Sequence, residues 1–359
     1  MKDLVDLSIG NVKRAFPKEV FEEAYRSIEE SCGYGPQFGL EELREHVAKD
    51  VSEFTGISTS SGQVVLTTGA SMALTSFLAA EMPRSSSILL PTPCFPGIEN
   101  TVKALGLKAA RYTKGYLYNT DTAVDAVLVN SPHNPTGSVK TNADLQTLLT
   151  FGKHTSIPVI SDEAYIAFAL EKPVPPLLGE GNPIYRIRSF SKHFGLAGMR
   201  LGAIIAPNSD AAKRVARTHY AMAMSAPVLP QMIANALFSW QGRSEWMAEI
   251  IDQIRRNLQR FGEGILELGF PWSPPDAGIF AWVDVSMMGI QAPILTQLML
   301  RQSAVLVSDS SMFLDFDGAF IRVNMTVKPE YIERALDALR LAKLVIQNAQ
   351  DSNQKRVLT

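Results

Sequence analysis

Lys192 sits in the run SFSKHFGLAGMR, with Ser189 and Ser191 before it and Arg200 eight residues after it. A lysine beside what reads as a buried strand is seldom left without a partner or a reactant. A desolvated ε-amine attacks carbonyl carbon, and hydroxyls and a guanidinium around it are the donors a phosphate needs. Further along the same chemistry, SDEAY puts Asp162 and Glu163 at the end of an apolar segment, with Tyr165 three residues beyond Asp162. A carboxylate there is costly unless its charge is matched, although a helix N-cap aspartate accounts for the same residue. In NSPHNPTG, two prolines and a glycine fix a loop that presents the Asn134 amide at its centre. TTGAS is a glycine followed by a helix start, where the N–H groups at Ala70 and Ser71 and the Ser71 hydroxyl would hold a phosphate on the helix dipole. Taken alone, an ordinary serine-capped turn explains those residues as well. PTPCFPG brings Phe95 to the same region, with core packing as its other account. A lysine with phosphate donors suggests a Schiff base to a phosphorylated aldehyde, and a carboxylate suits a protonated pyridine nitrogen. The combination points to pyridoxal 5′-phosphate.

These residues need a scaffold that gathers them. Short β-rich runs at 63–68, 86–91, 123–130, 157–162, 184–191 and 200–206 alternate with helical patterns at 71–82, 97–106 and 142–154. Alternation of this kind predicts a mainly parallel sheet between helices, and strands that are apolar throughout fit burial on both faces. In such α/β sheets, ligands bind at the carboxyl ends of the strands, which is where the unusual residues fall. After about residue 210 the chain turns helical. Short strands at 278–285 and 319–325 and a helix at 329–347 then predict a smaller α+β unit. The division expected is a large domain over 35–245, a small domain from 1–34 and 246–347, and a polar, frayed tail over 348–359.

The chain has 359 residues, 46% hydrophobic and 19% charged, which supports a sizeable core and argues against disorder. A formal net charge of −2 without basic blocks argues against nucleic acid or an anionic membrane as partner. Two cysteines make no disulfide framework, no metal-ligand spacing is present, and no run is long enough to span a membrane. The expectation is a cytoplasmic protein without a metal.

Read together, NSPHNPTG, SDEAY and SFSKHFGLAGMRLG match, in order and spacing, the fold-type I, class I/II pyridoxal-phosphate-dependent aminotransferases. The resemblance covers nearly the whole chain, and DEAYIAF and SKHFGLAGMR look most like the histidinol-phosphate aminotransferase branch. It implies an α/β fold with a mainly parallel seven-stranded sheet in the large domain. It implies that Lys192 carries the cofactor and shuttles a proton at Cα, and that Asp162 holds the pyridine N–H. By the same resemblance, Asn134 and Tyr165 bond the ring oxygen and Phe95 stacks on the ring. Ala70, Ser71, Ser189, Ser191 and Arg200 grip the phosphate. Tyr34 reaches the phosphate of a neighbouring subunit, which implies a homodimer. Arg322 binds the substrate carboxylate, with Gly10 close by. The implied activity moves an amino group between an α-amino acid and a 2-oxo acid. Another reaction on the same cofactor is the alternative: decarboxylation, β- or γ-elimination, cyclisation or oxidation. A non-catalytic effector-binding module of this fold would lack the lysine. Two stretches depart from the family pattern: the 308–319 loop, which borders the substrate, and NVKRAFP near the N-terminus. In the latter, Lys13, Arg14 and Phe16 either touch a substrate side chain or are ordinary surface residues.

Overall fold

The computed structural model describes residues 3–12, 14–26, 29, 32–113, 116–118, 123–154, 156–171, 173–313 and 316–357. Lys13 lies outside them. In chain order the elements begin with β1 (Val5–Asp6), α1 (Lys18–Tyr25), α2 (Glu41–Thr55), β2 (Val64–Thr67), α3 (Ala70–Glu81), β3 (Ser87–Pro91) and α4 (Pro96–Ala104). They continue with β4 (Lys108–Thr113), β5 (Tyr116–Tyr118), β6 (Ala126–Asn130), α5 (Asn142–Leu149), β7 (Val159–Asp162), β8 (Ile184–Ser189), α6 (Phe190–His193) and β9 (Gly202–Ile205). The last third holds α7 (Ser209–Ala223), α8 (Val228–Ser239), α9 (Arg243–Glu267), β10 (Phe280–Asp284), α10 (Ala292–Ser303), β11 (Val305–Leu306), β12 (Ser308–Asp309), β13 (Phe320–Asn324) and α11 (Pro329–Val357).

The large sheet has eight strands in the order β2-β9-β8-β7-β6-β3-β4-β5. The run from β8 to β4 is parallel throughout, while β9 and β5 run against their neighbours. The sheet is therefore mainly parallel, with one strand more than the seven expected. The missed strands are β4 and its short antiparallel partner β5. KAARYT gives β4 little β-branched character and two exposed residues at its start, so its periodicity does not read as a core strand.

Alternate residues of the central strands point to opposite faces, and both faces are covered. Ile88, Leu128, Ile160 and Ile187 pack against α3, α4 and α7. On the other face Leu89, Val127, Val129 and Val159 pack against α5, and Leu66, Ala203 and Ile205 against α2 and α8. Each fully buried aliphatic side chain contributes roughly 1.5–3 kcal/mol, so the parallel strands need no help from polar edges. Local signals fix the joints. The Asn208 side chain accepts the Ala211 N–H to start α7, and Thr141 with Asp144 forms a capping box for α5.

A second cluster is built on the antiparallel sheet β10-β13-β12 with α9, α10 and α11. Helix α9 joins the two regions: Trp246 packs with α8, while Ile254, Phe261 and Ile265 belong to the second cluster. The N-terminal segment divides. Strand β1 pairs in parallel with β11, and Val5, Leu7 and Val12 join the second cluster. Val20 and Ala24 of α1 instead pack with α2 and α8, so only the first part of this segment packs with the second cluster. Helix α11 runs to Val357. The polar stretch after 347 is thus a continuation of helix, because its Asn, Gln, Asp and Lys residues do not interrupt a helix already nucleated by an apolar face.

Candidate active site

A crevice of about 410 Å³ opens at the carboxyl ends of β6, β7 and β8. Asn130, Asp162 and Ser189 come from those strand ends, and Ala70 and Ser71 from the start of α3. The facing wall is Phe280 of β10, Arg322 of β13 and the strap Ser8–Gly10. Of the thirteen residues to which the family resemblance gives a role, twelve line this one space: Gly10, Ala70, Ser71, Phe95, Asn134, Asp162, Tyr165, Ser189, Ser191, Lys192, Arg200 and Arg322. Tyr34 does not; its side chain is 86% exposed, outside its own chain's crevice.

The acidic pair at the end of β7 separates by strand alternation. Glu163 turns to the opposite face of the sheet, where Arg186 (2.5 Å) and Arg188 (2.8 Å) neutralise it. Asp162 faces the crevice, where its Oδ1 accepts only the Ala164 N–H at 3.2 Å. Burial pushes its carboxyl up to about 6, and the adjacent Glu163 charge adds to the rise. The site therefore holds a carboxylate that lacks a cation. Arg186 and Arg188 carried no signal in the sequence, since each reads as an ordinary strand residue.

Lys192 stands in the short turn of α6, directly after β8, and its Nζ donates to the Gly10 carbonyl. Burial, together with the cations Arg322 and Arg200, lowers its amine to about 8. About a tenth is then the free base at pH 7, far more than for an ordinary lysine, and the free base is what both carbonyl attack and proton transfer require. Gly10 has no space for a side chain: a Cβ there would fall 2.5 Å from the Phe280 ring.

Arg200 follows the tight turn Ala197–Met199 with φ = 53°, a left-handed backbone that costs an L-residue about 1–2 kcal/mol. Its Nη1 donates to the Ala197 carbonyl (3.0 Å) and toward Ser191 Oγ (3.4 Å). The guanidinium lies against the start of α3 because position 69 is glycine. A Cβ there would meet Arg200 Nη2 at 2.7 Å, and φ = 82° at Gly69 also favours glycine. No acidic residue occupies the first turn of α3. Hydroxyls, a guanidinium and the positive end of a helix thus converge with no anion among the described residues to meet them.

Arg322 is buried. Its Nη1 donates to Asn134 Oδ1 (2.7 Å), and its Nη2 donates to the Ser8 carbonyl (2.6 Å) and Ser308 Oγ (3.2 Å). The guanidinium lies 4.1 Å from the centre of the Phe280 ring. Burial lowers it to about 10, so it stays charged at neutral pH. Its Nε has no hydrogen-bond partner, and no carboxylate pairs with it among the described residues. A buried, unpaired guanidinium with a free donor is a site for a carboxylate. Ser8 and Ser308, which orient it, were not picked out from the sequence; only the three-dimensional meeting of β12, β13 and the N-terminal strap reveals them.

Asn134 is held from behind: its N–H donates to Asn130 Oδ1 at 2.8 Å. His133 contacts Thr136 Oγ1 (2.8 Å) and the Pro93 carbonyl (3.0 Å). It ties the Asn134 loop to the Phe95 loop, and burial lowers it to about 4, so it is neutral at physiological pH. Gly97 leaves room for the Phe95 ring, which a Cβ would approach to 2.6 Å. Tyr165 is buried edge-on to Phe280, and desolvation keeps its phenol protonated. Arg14 and Phe16 lie away from the crevice. Arg14 stacks 3.4 Å above the Trp246 ring, and Phe16 packs on the same tryptophan.

The donor set fits pyridoxal 5′-phosphate on three counts. It offers a cradle for a phosphate dianion, an elevated carboxylate for a ring N–H cation, and a depressed amine for an aldehyde carbon.

The sequence model of the family described as aminotransferase class I and II matches residues 2–339. An aspartate aminotransferase of Pyrococcus abyssi is 26% identical to this chain, over 94% of it and 91% of the relative. An aromatic-amino-acid aminotransferase of Thermococcus litoralis is 25% identical over 94% and 91%. Among solved structures, an aromatic aminotransferase from Pyrococcus horikoshii superposes with a TM-score of 0.87 at 24% identity, covering 98% of this chain and 97% of the other, and speaks for the fold.

Proposed function

The chain belongs to the class I and II aminotransferases, and we propose that the crevice residues named above are its catalytic machinery. It is a pyridoxal 5′-phosphate-dependent aminotransferase of fold type I, acting on an amino acid and an oxo acid. The observation that carries the residue assignment is the buried Arg322 guanidinium, unpaired and sharing one crevice with Lys192 and Asp162.

The roles follow from position. Ser71, Ser189, Ser191, Arg200 and the N–H groups opening α3 would hold the phosphate, and Asp162 would hold the ring N–H. Phe95 would pack on the ring, and Asn134 and Tyr165 would offer donors to the ring oxygen. When bound, the cofactor supplies an aldehyde carbon that condenses with amines and a cationic ring that withdraws electrons from Cα. Arg322 offers the substrate carboxylate its charge and its free Nε–H, with the Asn134 oxygen and the Ser8 carbonyl holding the guanidinium in place. Lys192 Nζ is the amine placed to take the proton from the substrate Cα and to hold it for return. The test is a single turnover of the purified holoenzyme with one amino acid at a time, without oxo acid or oxygen. We expect one equivalent of the matching 2-oxo acid per site. Release of carbon dioxide or ammonia in its place favours the other reactions of this cofactor.

We further propose a homodimer in which Tyr34 completes the partner's phosphate cradle, on the strength of its exposure outside its own crevice. Sedimentation at micromolar concentration is expected to give twice the 39.3 kDa chain mass. Tyr34→Phe is expected to weaken cofactor retention about 10-fold, the loss of one hydrogen bond to a charged group. A monomer with full activity overturns this arrangement. We propose a large domain over 35–245 and a small one over 246–347. Residues 3–12 go with the small domain, and the packing of Val20 and Ala24 moves α1 to the large one. A cytoplasmic location is proposed from the two unpaired cysteines and the near-neutral charge. Among the described residues no helix is long and apolar enough to cross a membrane. None of the relatives named above is named for histidinol phosphate.

A further inference from the structure

We propose that the amino donor of this enzyme carries an uncharged, apolar side chain, seated against Ile9 and Met312; this rests on the transamination reading of the same crevice. Ser8 accepts from Arg322 Nη2 and Gly10 accepts from Lys192 Nζ, so the strap between them ties the carboxylate-binding group to the proton-transferring group. Ile9 is the residue between those two anchors and lines the crevice. A substrate whose carboxylate sits on Arg322 and whose Cα faces Lys192 must send its side chain past this strap. Met312 lines the same space from the turn after β12, the strand whose Ser308 also contacts Arg322. Ile9 and Met312 are 62% and 51% exposed, so two apolar side chains border the crevice without cover of their own. Burying them under an apolar substituent is favourable, and burying them under a carboxylate or an ammonium is not.

The charge inventory agrees. Among the described residues, the crevice is lined by three cations, Lys192, Arg200 and Arg322, and one acid, Asp162. Phosphate, α-carboxylate, aldehyde carbon and ring nitrogen engage all four. Nothing charged is left in this chain's wall for the distal group of an acidic or basic donor. Methionine adapts its shape readily, so Met312 suits a range of aliphatic and aromatic side chains in place of one fixed outline.

The experiment is single-turnover release of 2-oxo acid by the holoenzyme with alanine, leucine, methionine, phenylalanine, aspartate, glutamate and lysine. The best apolar donor is expected to exceed aspartate in kcat/KM by ~10²-fold or more. Met312→Arg is expected to narrow that ratio at least ~10-fold, and Ile9→Ala to lower the leucine-to-alanine ratio ~10-fold, the scale of a few lost methylene contacts. A fastest turnover with aspartate, glutamate or lysine overturns the inference and leaves the transaminase reading intact. Failure of every amino acid to yield its 2-oxo acid overturns both.

Discussion

Lys192→Ala retains the cofactor and loses about 10⁴-fold in turnover, the upper range for a positioned general base. The phosphate cradle, the Asp162 carboxylate and the Phe95 ring are untouched by the change, so binding persists at a reduced affinity. What disappears is, among the described residues, the only amine in the crevice placed to take a proton from Cα. Its neighbours cannot replace it. Arg322 stays protonated at neutral pH, and the Tyr165 phenol is pushed further from ionisation by burial. The measurement is a pre-steady-state assay of 2-oxo acid release beside equilibrium dialysis of the cofactor. Small amines such as methylamine are expected to restore part of the rate, because the deleted atom leaves space next to the Gly10 carbonyl. Turnover at the parent rate by the alanine variant would remove Lys192 from the mechanism.

The sequence made much of this site legible because its chemistry sits in contiguous runs. NSPHNPTG, SDEAY and SFSKHFGLAGMR each combine turn-forming residues with a functional group, and each falls where a parallel strand ends. Arg322 was recognisable only by position in a family pattern, since a lone arginine on a strand has no local signature. Its partners Ser8 and Ser308 lie 314 and 14 residues away in the chain, and no spacing rule connects them. The buried set Glu163, Arg186 and Arg188 was hidden for the same reason: it is a cross-strand pairing, settled by which face each side chain takes. In the fold, apolar strands and amphipathic helices were readable, while β4, rich in alanine and charge, was not. The helical extension of α11 was missed because polar composition resembles a tail, although helix propagation tolerates it well.

Asp162→Asn is expected to act in opposite directions on the two states of the protein. In the cofactor-free protein, the Asp162 carboxyl is raised from an ordinary 3.8 to about 6, chiefly by burial. Between pH 4 and 6 the native state then binds more protons than the unfolded chain, so stability falls as pH rises through that window. Above about pH 6 the full penalty is in place, up to about 3 kcal/mol for a shift of some two units. Asparagine removes it. The cofactor-free variant should therefore be more stable than the parent at pH 8, and the difference should vanish near pH 4, where the parent carboxyl is protonated. With cofactor the sign reverses. Among the described residues that line the crevice, the carboxylate is the one anion a ring N–H cation would meet, and loss of a buried charge pair costs about 2–5 kcal/mol. Turnover is expected to drop about 10²–10³-fold, with substrate affinity at Arg322 little changed. Urea unfolding of both proteins, with and without cofactor, at pH 4 and pH 8 reads all four cases. If the cofactor-free variant is the less stable at pH 8, Asp162 is a structural hydrogen-bonding residue. Its burial in the crevice would then be no sign of a cation to come.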